Sequence, residues 1–86
     1  MIYKSIDVWN RLGTSRLVRY RCFEVLPEGG FCVQSADYYD APFSDPRRED
    51  HDKQFLELLA EDAPEKRSMS SPTIEEAIDS YDAEFG

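Results

Sequence analysis

The sequence holds a single histidine and only two cysteines, and that scarcity removes most site chemistry at the outset. A nucleophile, base and orienting group cannot be assembled around His51 unless Cys22 or Cys32 lies beside it. The acidic run Glu49-Asp50-His51-Asp52 is the one place where a metal could gather, but helical ligands need spacings of three or four. His51 has Phe55 four residues on, so the run reads as a solvated helix start whose acids suit the macrodipole. Glu28-Gly29-Gly30 is turn chemistry and no phosphate loop accompanies it. No catalytic residue, metal or cofactor is therefore expected, and the chain reads as a non-enzyme.

Long apolar runs are also missing. MIYKSIDVWN has no signal-peptide core and no stretch approaches membrane length, which points to a cytoplasmic protein. A disulfide is not expected either. If residues 27–30 form the loop, Leu26 faces Phe31, Cys22 faces Ser35 and Cys32 faces Val25, with the sulfurs on opposite faces. A three-residue loop puts them on one face but roughly 13 Å apart along the strand, beyond bridging distance. Reduced thiols fit a cytoplasmic setting.

Basic residues are scarce in the second half. Residues 1–36 carry five basic groups against three acidic, whereas residues 37–86 carry five against fifteen, and none of the five follows Arg67. The net charge of -8 argues against nucleic acid and anionic membrane as partners.

What the chain does have is β-forming sequence in its first third. Residues 1–37 read as a three-stranded antiparallel meander: Met1 to Asn10, a turn at Gly13, a strand through Leu17, Val18, Tyr20, Phe23 and Val25, a Pro27–Gly30 turn, and a run from Phe31 to Ala36. Ile2, Ile6 and Val8 share one face. Val18, Tyr20 and Cys22 form the core side of the second strand, which leaves Arg19 and Arg21 on an open side, with Tyr3 or Trp9 and with Gln34 or Ser35. Tyr38 to Ser44 reads as a loop whose aromatics pack over the core edge.

Asp45 and Pro46 form a helix start signal, and residues 45–61 read as a helix with its apolar residues (Phe55, Leu56, Leu58, Leu59, Ala60) in the second half. Residues 62–72, with two prolines and three serines, read as a mobile linker. Residues 73–84 form an acidic amphipathic helix: Thr73 and Glu76 have capping-box spacing, and Ile74, Ala77, Ile78, Tyr81 and Phe85 make one stripe. The expected architecture is a single α+β domain, with the meander followed by two helices packed on one face.

Two interaction surfaces follow. The carboxylates of Glu75, Glu76, Asp79, Asp82 and Glu84 suit a protein partner with a basic surface, as a regulator or inhibitor would use. Alternatively Trp9, Arg19 and Arg21 suit single-stranded nucleic acid or a peptide on the sheet face, unless those arginines pair with the chain's own carboxylates. The apolar stripe of the last helix either closes the core or serves as the seam of a homodimer.

Overall fold

The computed structural model describes residues 1–43, 48–67 and 70–85, with positions 48–50 and 67 described by backbone alone. Three strands, β1 (Ile2–Arg11), β2 (Arg16–Leu26) and β3 (Phe31–Asp40), form one antiparallel sheet in the order β1-β2-β3. Three helices follow: α1 (Arg48–Glu61), the single turn α2 (Pro64–Arg67) and α3 (Ile74–Phe85). The meander and the α+β class stand as expected. The Asp45–Pro46 helix start lies outside the described residues, as do the Glu49 and Asp50 side chains of the acidic run.

The packing corrects one expectation. The helices do not share a face of the sheet but take one each. Val18, Tyr20, Cys22 and Val33 pack against α3 through Ala77, with Ile6, Val8, Ile74, Ile78 and Tyr81 around them. On the opposite face Phe23, Val25 and Cys32 pack with Tyr3 and with Phe55 and Leu59 of α1. The reason lies in β2, where Val18 through Phe23 are all buried. A strand at the centre of a sheet with apolar residues on both faces needs cover on both.

The second hairpin differs from a simple four-residue loop. Gly29 N–H donates to the Val25 carbonyl at 2.7 Å and Val25 N–H to the Gly30 carbonyl at 3.0 Å. Gly29 and Gly30 have φ of 86° and 91°, a conformation that favours glycine, and a Cβ on Gly30 would collide with the Ser70 hydroxyl. The ladder then runs Glu24↔Phe31, Phe23↔Cys32 and Cys22↔Val33, and shifts at a bulge to Arg21↔Ser35. Gln34 is the extra residue, and its Nε2 donates to the Phe55 carbonyl of α1 at 3.0 Å. Cys22 and Cys32 are free and sit in the two different apolar clusters.

Two further segments depart from expectation. Tyr38, Tyr39 and Asp40 are not loop but continue β3, pairing with Val18, Leu17 and Arg16. The 62–72 segment is not a bare linker. Pro64 is fully buried, Glu65 accepts the Tyr3 hydroxyl at 2.9 and 3.0 Å, and Ser71 exchanges two 2.8 Å backbone bonds with Phe31. That short bridge extends the sheet at its β3 edge. At the start of α3 the Glu76 N–H donates to the Thr73 hydroxyl at 3.2 Å, one half of the expected capping box.

Burial sets how the core responds to alkali. The Tyr20 pKa is pushed from 10.0 to about 12, by burial first and then by its hydroxyl's bond to Asp82. Burial likewise lifts the Cys22 thiol from 9.0 to about 12 and the Cys32 thiol to about 11. Each group stays neutral in the folded chain and ionises sooner in the unfolded one. Their contribution is therefore complete below about pH 9 and is lost as pH rises through the folded values. Urea midpoints should fall steadily above about pH 9, and Tyr20→Phe should remove the hydroxyl's share of that slope. A midpoint unchanged up to pH 12 would contradict the buried placement of these groups.

Candidate interaction surfaces

The sheet's cations come first, because their placement decides which charges are left to act outward. Arg19 and Arg21 project on the α1 face, where they are only 7% and 5% exposed. Arg21 donates through Nε to Asp37 at 3.0 Å and through Nη2 to Asp52 of α1 at 2.6 Å, with its guanidinium 4.8 Å from the Phe55 ring centre. Burial alone would lower the Arg21 pKa, but the bond to Asp52 and the charge of Asp37 outweigh it and hold the pKa above its ordinary value. Arg19 donates to the same Asp37 oxygen at 3.3 Å and lies over the rings of Trp9 and Tyr39, at 5.5 and 5.6 Å. Arg16 pairs with Asp40 at 3.4 Å and covers Tyr38 at 5.0 Å.

The structure thus brings Trp9, Arg19 and Arg21 to one face, as the alternation of β1 and β2 implies. Trp9 is 53% exposed, whereas the two arginines are buried and joined to the chain's own carboxylates, Arg21 alone reaching α1. The sequence reading missed Asp37 and Asp52 as their partners. Asp37 stands directly across from Arg19 in the ladder, a signal that depends on knowing the bulge. Asp52 carried no signal beyond its place in a charged run.

The acids of α3 are placed differently. Ile74, Ala77, Ile78 and Tyr81 face the sheet, and Tyr81 meets Tyr20 edge-on with ring centres 6.4 Å apart. Phe85 ends the stripe against Tyr81 at 4.9 Å but remains exposed. Glu75, Glu76, Asp79, Asp82 and Glu84 are all exposed. Asp82 accepts the Tyr20 hydroxyl with both oxygens at 3.0 Å, a contact that anchors the helix to β2. Among the described residues no ion pair engages Glu75, Glu76, Asp79 or Glu84.

Between α3 and β1 lies an open groove of about 230 Å³, lined by Val8, Trp9, Asn10, Tyr20, Glu75, Ile78 and Asp79. Three consecutive β1 residues border it, so it opens at the rim of the sheet, where successive side chains alternate and the backbone is shared. Its walls are apolar with two carboxylates at the helix side. With 3.6 residues per turn, Glu76 and Glu84 fall away from this flank of α3.

Among the described residues no helix is long and apolar enough to cross a membrane. Comparisons with protein-family models, with curated proteins and with solved structures each returned no match.

Proposed function

We propose that the chain is a non-catalytic interaction module, a regulator or inhibitor that binds a basic protein surface through the outward carboxylates of α3. One observation carries this reading. Arg16, Arg19 and Arg21 are engaged by Asp40, Asp37 and Asp52, whereas Glu75, Glu76, Asp79 and Glu84 are exposed and hold no ion pair among the described residues. The field that leaves the molecule on the α3 side is therefore negative, in keeping with the net charge of -8. Such a field steers encounter with a cationic partner and fixes its orientation. The two free, buried thiols suit a reducing compartment such as the cytoplasm.

The sheet-face reading through Trp9, Arg19 and Arg21 draws less support. The two guanidiniums are only 7% and 5% exposed and already bonded to Asp37, so they are poorly accessible to a phosphate or a peptide carboxylate.

The test is capture of a lysine- and arginine-rich probe peptide, followed by calorimetry at two salt concentrations. Glu76→Lys with Glu84→Lys, both surface changes on α3, is expected to weaken binding at least about tenfold at low ionic strength, with the difference shrinking as salt is added. Capture that survives both reversals, or is indifferent to salt, overturns the assignment.

A further inference from the structure

The two edges of the sheet are not finished alike. On the β3 side the Ser71 bridge occupies the start of the strand and the bulge at Gln34 bends its middle. β1 pairs with β2 along its whole length and, among the described residues, has nothing on its other side. It contains no proline, and Ile2 and Trp9 near its two ends are exposed. A long, regular, partly apolar edge is a template for another strand. α3 packs nearer β3 than β1, and the groove beside Val8 is the gap this leaves.

We infer that β1 is the seam of a two-fold dimer, in which β1 of a second copy adds antiparallel to it and each Lys4 enters the partner's groove between Glu75 and Asp79.

The register follows from symmetry and side-chain facing. A two-fold axis normal to the sheet keeps each face continuous only when it passes through a residue, because opposed residues must point the same way. The axes that overlap nearly all of β1 pass through Ile6 or Asp7. Centring on Asp7 sets that carboxylate against its own copy, a like-charge pair that opposes association. Centring on Ile6 sets Ile6 on Ile6 and Tyr3 against Trp9, an aromatic cross-strand pair that occurs twice. It also sets Lys4 across from Val8, which lines the groove. Lys4 is exposed and faces Glu24 across the β1–β2 ladder, but makes no ion pair with it among the described residues. The ammonium therefore meets two unengaged carboxylates, while its stem covers Val8 and Ile78. The seam takes up Glu75 and Asp79 and leaves Glu76 and Glu84 outward, so reversals at Glu76 and Glu84 test the functional reading above separately from the dimer.

Sedimentation equilibrium over about 1–200 µM tests the assembly, and should show a monomer–dimer equilibrium whose dissociation constant lies in that range. Equal amounts of ¹⁴N- and ¹⁵N-labelled protein, mixed and treated with a carbodiimide, should give isotopically mixed cross-links between Lys4 and Glu75 or Asp79. Lys4→Glu is expected to weaken the dimer at least tenfold, and Glu75→Lys with Asp79→Lys in the same chain to restore it. Circular dichroism confirms that each variant is folded. A monomer at every concentration, a dimer insensitive to Lys4→Glu, or mixed cross-links that never involve Lys4 each overturns the proposal. A monomer whose Glu75 and Asp79 become linked to an added lysine-rich peptide overturns it as well, and assigns the groove to that peptide.

Discussion

Arg21→Ala is expected to destabilise the protein by about 3–5 kcal/mol, seen as a large drop in urea midpoint, because it removes a buried cation that ties α1 to the sheet. The guanidinium is 5% exposed and spans from Asp37 on β3 to Asp52 on α1, above the face of Phe55. Truncation leaves Asp37, whose side chain is only 15% exposed, held by the single 3.3 Å bond from Arg19. It also opens a void under α1. Asp52 is more than half exposed, so losing the contact with Arg21 costs its carboxylate little. The loss should therefore be very uneven between the two ends of the bridge. Asp52→Asn should cost less than about 1 kcal/mol, as surface pairs do. If the two changes cost the same small amount, Arg21 is not what holds the helix down.

Phe23→Ala should be comparably severe, about 3–5 kcal/mol, out of a total that for a domain of this kind is only about 5–15 kcal/mol. Phe23 is 2% exposed at the centre of the second apolar cluster. Its ring lies nearly parallel to Phe55 at 5.4 Å and meets Tyr3 edge-on at 5.8 Å. Its loss removes what α1 rests on and the ring that backs the Tyr3–Glu65 contact to α2. The control is Leu56→Ala on the same helix, 62% exposed, where the change should stay within about 0.5 kcal/mol. A Phe23→Ala variant with a near-native midpoint would mean that α1 is not packed on this face.

Much of this architecture was legible in the chain, and the parts that were not share a cause. The alternation of Val18, Tyr20 and Cys22 marked the face that α3 covers, and the Thr73–Glu76 spacing marked where α3 starts. Both signals are local, carried by residues a few positions apart. The second covered face was hidden because reading it needs two carboxylates 16 and 31 residues from Arg21. The premise that an unpaired arginine stays out of a core was sound, but its consequence reversed once the partners were in place. Register was hidden for a similar reason. The extra residue at Gln34 is chosen by a carbonyl on α1, not by anything in the hairpin itself. Tyr38–Asp40 looked like loop because Pro42 and its polar neighbours follow closely, but the pairing of Tyr38 with Val18 keeps the strand going. In the 62–72 segment proline and serine signalled flexible chain, whereas Pro64 is a core residue and Ser71 a sheet partner.

The surfaces divide along the same line. The carboxylates of α3 could be named from sequence, and among the described residues no cation pairs with them. The arginines could be named but not placed, since long-range partners absorb their charge. The groove beside β1 could not be read at all, because it is a gap left by how α3 leans.

A centre strand sheathed on both sides has a consequence for how the chain is made. The ribosome delivers β2 well before α1, and α1 before α3. The meander can zip up from neighbouring segments while it is still attached, but for that interval Phe23 and Tyr20 look out on opposite sides with nothing over them. The nascent molecule is then at its stickiest, and chaperone capture is most apt in that window. Emergence of the anionic last helix closes it, covering one side and adding like-charge repulsion between neighbouring chains.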